Sequence, residues 1–366
     1  MTNLPEVSID EQQHSAALIN TIHDQLPMSF RDYMQRALYD PHYGYYSSGM
    51  HKFGQAGDFV TAPEISTLFG KTLANYYLKT VDKLGRSSIL EFGAGTGKLA
   101  LDILTALKAK STLPDNYYIL EVSADLAQRQ QQLLNDKLPE YYDKIIWLRQ
   151  LPESFNGLVI ANEVLDAMPV HKFQLDEKSN LQEFYVDCKN NKLTWCLEKF
   201  HDEKLVEKIK QLNIQVEHSV YESEINTMIK PWLQSLADIM QQGQVLLIDY
   251  GYPQHEYYHP DRYMGTLMCH YKHRAHSDPL ILTGLQDITA HVDFTEVMNA
   301  AKETGFTIEH YSNQARFLID HGIAQLAEQQ IDHNDLTRTL KISQQLQTLT
   351  MPHEMGELFK VLVLSK

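Results

Sequence analysis

The sequence is poor in cysteine, in positive charge and in long apolar runs. Three cysteines, Cys188, Cys196 and Cys269, are spread over 366 residues and form no C-x-x-C pair. So sparse and odd a set excludes a disulfide framework and points to a reducing compartment. No apolar run approaches the roughly 18 residues of a membrane span, so membrane insertion is not expected. Lys and Arg number 32 against 47 Asp and Glu, a net charge of −15. Binding a phosphate backbone calls for clustered surplus cations, so nucleic acid is not an expected partner. An acidic surface does leave room for a cationic substrate. Glu6, Asp10 and Glu11 precede any Lys or Arg. The expectation is therefore neither a signal peptide nor a transit sequence, and a cytoplasmic location. G-x-S-x-G, Walker and H-E-x-x-H patterns are also missing, which removes support for hydrolase, NTPase and zincin readings.

What is present is ordinary globular material, 43% hydrophobic and 22% charged, so a packed core is within reach. The length suggests about two units, or one large α/β domain with insertions. Residues 1–86 read as a helical region interrupted by the tyrosine-rich turn DPHYGYYSSG. Ser29 and Asp32 have capping-box spacing, as do Thr61 and Glu64 in GDFVTAPEIS, where Pro63 suits a first helical turn. Ile65, Leu68, Phe69, Leu73, Tyr76 and Tyr77 then form a helical apolar stripe.

From residue 87 short apolar strands alternate with helical segments, as in Ile89–Phe92, KLALDILTALKA, Tyr117–Val122 and ADLAQRQQQLLNDKL. Ile145–Leu148, Leu158–Ala161 and Val245–Asp249 continue the strands, and Leu358–Leu364 reads as a closing edge strand. Such alternation predicts α/β architecture, a doubly wound Rossmann-like sheet with helices on both faces. Residues 171–231 interrupt it. Phe184–Asp187 and Leu193–Cys196 flank Lys189-Asn190-Asn191, which predicts an antiparallel hairpin insert that could serve a homodimer. The core is expected in 87–170 and 232–366, with 323–350 as a polar amphipathic helical segment on its outside.

Glu91-Phe92-Gly93-Ala94-Gly95-Thr96-Gly97 stands where the first strand turns into a helix. Ligands of open parallel sheets bind beyond the carboxyl ends of the strands, and glycines let the backbone approach them. The dinucleotide pattern G-x-G-x-x-G fails, because its third glycine would fall on Lys98. A carboxylate at Glu91 would repel a pyrophosphate, yet it suits a ligand carrying ammonium and sulfonium charge, such as S-adenosylmethionine. Glu121, closing the second strand, is placed to accept ribose hydroxyls.

The fourth strand runs into Asn162-Glu163-Val164-Leu165-Asp166-Ala167-Met168-Pro169. In a doubly wound sheet this end adjoins the glycine loop, so Glu163 and Asp166 could flank an incoming group. Helix-terminus chemistry is the alternative, with Asn162 as cap. Asp58 and Thr61 offer either turn and cap residues or a loop facing a ligand. His270, His273 and His276 lack an acidic or thiol partner in any zinc pattern, and Lys272 and Arg274 would repel a cation, so no metal is expected. A basic aromatic lid is the better reading, with Tyr250, Tyr252, Tyr257, Tyr258 and Tyr263 upstream. His291 and Asp293 alternate on one face of an extended segment and could reach one pocket, or form a buried pair.

GDFVTAPEIS, LEFGAGTGKLALDIL, ANEVLDAMPVHKF, LLIDYGY and GLQDITAHVDF occur in this order, with MGELFKVLVL as the tail. Together they resemble the MidA-like family of class I S-adenosylmethionine-dependent methyltransferases, from about Phe30 to the closing strand. The resemblance implies S-adenosylmethionine as cofactor, with Asp58, Glu91, Gly93, Gly95, Gly97, Glu121 and Asn162 at its site. Mitochondrial members of the family assist complex I assembly by symmetrically dimethylating an arginine of a core subunit. That implies a protein substrate with an arginine acceptor, with Glu163 and Asp166 as the clamp and His291 or Asp293 as proton acceptor. A cofactor-binding assembly chaperone without catalysis, and an NAD-dependent oxidoreductase, are the competing readings.

Overall fold

The computed structural model describes residues 4–47, 61–85, 87–332 and 334–366. The expected alternation builds a central sheet whose parallel strands are β1 (Ser88–Phe92), β2 (Tyr117–Leu120), β3 (Ile145–Leu148), β4 (Phe155–Asn162) and β5 (Met240–Tyr252). Two antiparallel strands, β6 (Thr307–Asn313) and β7 (Phe359–Ser365), complete the order β6-β7-β5-β4-β1-β2-β3. The chain grows outward from β1 to β3, then returns to β4 on the other side of β1. This reversal opens a crevice beyond the carboxyl ends of β1 and β4, where open α/β sheets take their ligands.

Successive side chains divide between two faces. Ile89, Leu158, Ile160, Leu246 and Ile248 meet helices Thr67–Leu84 and Lys98–Ala109. Leu90, Val159, Ala161, Val245 and Leu247 meet Ile229–Ile239 and Phe294–Glu303. Burial on both faces explains why these strands read as unbroken apolar runs. It also corrects the expected position of the last strand. β7 is not an edge but lies between β6 and β5, with Val361, Leu362, Val363 and Leu364 all buried. The edge is β6, whose sequence TIEHYSN is too polar to declare itself as a strand.

The interruption is the expected antiparallel insert. Val170–Asp176, Leu181–Lys189, Lys192–Glu198 and Val220–Asn226 form a sheet, with the hairpin turning at Asn190 and Asn191, both at positive φ. Met28–Ser29 adds a further strand to it. The first 86 residues therefore contribute to two bodies rather than one. Helix Phe30–Tyr39, capped by Ser29 as its spacing predicts, buries Phe30, Tyr33, Met34 and Leu38 with Phe184 and Val186 of the insert. Helix Thr67–Leu84 instead packs in the core. Helices Ile323–Glu328 and Leu336–Thr350 cover its outside. Among the described residues no helix is long and apolar enough to cross a membrane.

β1, β4 and β5 come together at a glycine contact. Gly157 has φ +142°, and a Cβ there would lie 2.0 Å from the Ser88 carbonyl oxygen. Gly243, its register partner on β5, would set a Cβ 2.1 Å from the Gly157 carbonyl oxygen. Gly157→Ala must therefore spread β4 from β1 at the centre of the sheet. Urea titration is expected to give a loss of more than about 2 kcal/mol in unfolding free energy.

Candidate active site

A cavity of about 420 Å³ occupies the crevice at the reversal point. Its wall carries Glu64, Glu91, Glu121, Glu163, Asp166 and Asp287, against a single lysine, Lys98. Lys98 is taken up by Asp102 at 2.6 Å. The wall is thus strongly acidic, and its geometry divides it into two ends.

The glycine loop makes one end. Gly93, Gly95 and Gly97 have φ of +60°, +53° and +83°, values that side-chain-bearing residues rarely adopt, and Gly97 starts helix Lys98–Ala109. Gln130, buried on helix Ala124–Lys137, ties this end together. Its Nε2 donates to the Gly95 carbonyl and to Glu121, each at 2.9 Å, and its Oε1 accepts from Trp147 Nε1 at 3.0 Å. Glu121 also accepts from Ser123 N–H at 2.9 Å. Glu91 is buried and accepts from the Tyr117 hydroxyl at 2.7 Å. Burial pushes its pKa up to about 7, with the hydroxyl pulling the other way. Thr61 lines the cavity without capping through its side chain, and Glu64 accepts from the Thr96 hydroxyl of the loop. The capping box expected of Thr61 and Glu64 is therefore not formed, because Glu64 is engaged by the loop. Asp58 lies outside the described residues.

The turn after β4 makes the other end. Glu163 stands at φ +54°, its N–H donating to Ile248 O at 2.9 Å. Its carboxylate accepts from Asn162 Nδ2 at 3.1 Å and from the Ala62 backbone N–H. Burial, then repulsion from Asp249, raises the Glu163 pKa to about 8. Asp166 is pushed up by burial and then by Asp249 and Glu163. Asn162 Oδ1 and Asp166 Oδ1 are buried acceptors with no hydrogen-bond partner. Across from them Asp287 accepts from the Tyr46 hydroxyl at 2.8 Å, and the Tyr46 ring stacks on Tyr39 with centroids 5.4 Å apart. Tyr39 in turn donates to Ala167 O at 3.0 Å.

The third cluster separates. His291 lines the cavity, stacked on Tyr252 with centroids 5.2 Å apart, and burial lowers its pKa to about 4, so the ring is neutral near pH 7. Asp293 is absent from the cavity wall and caps helix Phe294–Glu303, accepting from Thr295 N–H at 3.0 Å and Glu296 N–H at 3.2 Å. The two do not share this cavity, because the start of a helix engages the Asp293 carboxylate, but both line a separate small pocket, as their spacing predicts. The three histidines lie on a hairpin, Met268–Tyr271 with Arg274–His276. His270 reaches the cavity, His273 is exposed at the turn and His276 is buried. Of the five lid tyrosines only Tyr250 lines the cavity, whereas Tyr257 and Tyr258 are packed into the insert.

Asp249, Gln130, Asp287, Tyr39 and Tyr46 escaped the sequence reading. Asp249 left a signal as an acid ending the all-apolar run Val245–Ile248, Asp287 as part of GLQDITAHVDF and Tyr46 as part of the tyrosine-rich turn, but none was singled out.

With this geometry in hand, comparison with known proteins gives a consistent result. The model of a family described as S-adenosyl-L-methionine-dependent methyltransferases matches residues 72–312. The chain is 28% identical to the mitochondrial protein arginine methyltransferase NDUFAF7 homolog of Drosophila melanogaster, over 98% of this chain and 87% of that protein. It is 29% identical to the Danio rerio NDUFAF7, over 91% of this chain and 82% of that protein. A Burkholderia thailandensis protein solved with S-adenosyl-homocysteine bound is 38% identical, with a TM-score of 0.94 over 100% of this chain and 95% of that one.

The raised carboxyl pKa values have a thermodynamic consequence. A group with a higher pKa folded than unfolded holds its proton more tightly in the native state. Its contribution is complete below the unfolded value and disappears as pH rises through the folded one. For Glu163 that window runs from its ordinary 4.5 to about 8. Thermal unfolding followed from pH 5 to pH 8 is expected to show stability falling. Glu163→Gln should flatten the fall by about 3 kcal/mol; an unchanged slope would show that folding does not raise the Glu163 pKa.

Proposed function

The chain belongs to the family of S-adenosyl-L-methionine-dependent methyltransferases and has their doubly wound class I sheet; from that premise we propose that its methyl acceptor is an arginine of a protein substrate. S-adenosylmethionine is its cofactor, and family membership removes the NAD-dependent alternative. The observation that carries the acceptor is the composition of the cavity's second end. Asn162 Oδ1 and Asp166 Oδ1 are buried acceptors without donors, and no arginine or second lysine lines the wall among the described residues. A guanidinium brings five N–H donors in a planar fork and a delocalised positive charge, which answers both needs. The stacked pair Tyr39 and Tyr46 lines the same cavity, and aromatic rings suit a cation. Relatives named as protein arginine methyltransferases support the same acceptor.

In this reading Gly93, Gly95 and Gly97 receive the cofactor's methionine end, Glu91 faces its ammonium and Glu121 accepts from its ribose hydroxyls. The unfilled space above Gly95, where a Cβ would meet nothing within 4 Å, and the open turn at Gly93 fit a ligand lying close to the backbone. Bound S-adenosylmethionine supplies an electrophilic methyl group. Glu163 and Asp166 hold one guanidinium nitrogen in line with it, so that most of the catalysis is positioning. In the transfer the methyl carbon would leave the sulfonium sulfur for the guanidinium nitrogen, with S-adenosylhomocysteine as leaving group. The proton of that nitrogen would pass to an ionised carboxylate oxygen of Glu163. With its pKa raised to about 8, Glu163 holds its proton near neutral pH until the positive charge of a bound guanidinium favours its ionisation, and once ionised it is a stronger base than an ordinary carboxylate. Neutral His291 is the alternative acceptor on the wall, and Asp293 remains a helix cap. We extend the reading to a subunit of respiratory complex I type, with symmetric dimethylarginine as product, as the family resemblance implies.

Two measurements test this. Proteins from cells with and without the chain, compared by mass spectrometry, are expected to differ by a lost dimethylarginine. Glu163→Gln should bind S-adenosylhomocysteine with unchanged affinity in calorimetry while methyl transfer drops at least a hundredfold. An intact dimethylarginine pattern would favour a chaperone that binds without catalysis.

A further inference from the structure

Asp249 ends the apolar core of β5, is buried, and does not line the cavity. Its carboxylate nevertheless collects backbone donors from the turn that does. Oδ2 accepts from the N–H groups of Val164, Leu165 and Asp166 at 3.2, 2.9 and 3.3 Å, and Oδ1 accepts from Tyr250 N–H at 2.8 Å. Three consecutive N–H groups converging on one oxygen make an anion nest out of the turn, and here the anion is supplied by the neighbouring strand. The turn also starts with Glu163 at φ +54°, a conformation that costs a residue with a side chain about 1–2 kcal/mol unless its surroundings impose it.

We propose that Asp249 is the positioning residue of the acceptor site: its carboxylate holds the 163–166 turn in the form that presents Glu163 and Asp166 to the cavity. The inference deepens the proposed function and rests on it for the meaning of "acceptor", but the geometry it concerns stands by itself. Other groups press on the same turn. Glu163, Asp166 and Asp287 surround it with like charge, and the Tyr250 hydroxyl shares their field. Lys360, opposite Asp249 in the β5–β7 register, bonds the Glu357 carbonyl and lies 5.9 Å from the Tyr252 ring centroid. No lysine or arginine pairs with Asp249 among the described residues, so the N–H groups hold its charge. Burial raises the Asp249 pKa and those donors oppose the rise.

Asp249→Asn discriminates sharply, because an amide keeps one acceptor oxygen and turns its NH₂ toward the donors on the other side. Amide hydrogen exchange, read on the whole protein with and without S-adenosylhomocysteine, is the primary measurement. The amides of Val164, Leu165 and Asp166 are expected to lose at least tenfold protection, while those of Leu158–Ala161 in β4 keep theirs. S-adenosylhomocysteine affinity should stay within threefold. Methyl transfer should fall at least tenfold in kcat with little change in the KM for S-adenosylmethionine. Unchanged protection at 164–166, or equal loss along β4, would overturn the proposal, as would a tenfold loss of S-adenosylhomocysteine affinity. Should the variant be too unstable to purify, Glu163→Gly with Asp249→Asn, compared with Glu163→Gly alone, gives the same exchange comparison, since glycine adopts φ +54° freely. A wild-type protein that methylates no arginine would defeat the functional reading only, leaving the exchange result to decide the role of Asp249.

Discussion

The architecture turns on carboxyl groups buried together without a compensating cation. Glu91, Glu163, Asp166 and Asp249 lie at the carboxyl ends of adjacent strands, and none pairs with a lysine or arginine among the described residues. Isolated burial of such charge costs several kcal/mol per ion, so the fold must supply dipoles or protons in place of counter-ions. Both devices are present. Asp249 is surrounded by backbone N–H groups, Glu91 by a tyrosine hydroxyl, and the pKa of Glu163 is raised until proton binding competes at neutral pH. A site arranged this way is most favourably completed by a ligand that brings positive charge, and the demand is sharpest where acceptor atoms lack any donor.

The sheet order makes this concentration unavoidable. β1 and β4 are neighbours grown in opposite senses from the reversal point, so the segments that follow them emerge side by side. One becomes the glycine loop and the other the 163–166 turn. Their separation in function follows from chemistry rather than from distance. Glycines at positive φ clear space for a ligand close to the backbone, whereas the turn fills its space with acids. Gln130 and Asp249 play matching parts from behind, each tying backbone groups of a cavity-lining segment to a buried element.

Much of this was legible in the chain because it was local. The strand–glycine–helix passage, the acids at Glu91 and Glu121, the Asn162–Asp166 motif and the Asn190-Asn191 hairpin each declare themselves within a dozen residues. What could not be read is long-range. Asp249 meets its turn across 83 to 85 residues, and Tyr46 meets Asp287 across 241. Nothing in the QRQQQ stretch singles out Gln130, whose importance is set by which glutamine the helix turns inward. The closing strand was read correctly as a strand and wrongly as an edge, since its neighbour β6 is polar enough to pass for loop. Asp293 is a divided case: period-two spacing brings it and His291 to one small pocket, yet a helix begins at the next residue and claims its carboxylate, which keeps it off the main cavity wall.

The cover over the cavity explains why so small a site needs so large a chain. Helix Phe30–Tyr39, the turn that follows it and the strand Asp287–Thr289 all come from outside the parallel strands. That strand pairs with Met268–Tyr271 of the histidine hairpin, and all three share a core with Phe184 and Val186 of the insert. Removing them would hydrate Glu163 and Asp166, return their pKa values toward ordinary carboxylates and weaken every charge interaction in the crevice. Tyr39 and Tyr46 are the contact points, hydrogen-bonded to Ala167 O and to Asp287. The insert is thus coupled to the site without lining it, because it supports the helix that carries Tyr39 and leads into the turn carrying Tyr46, and these two tyrosines cover the carboxyl groups.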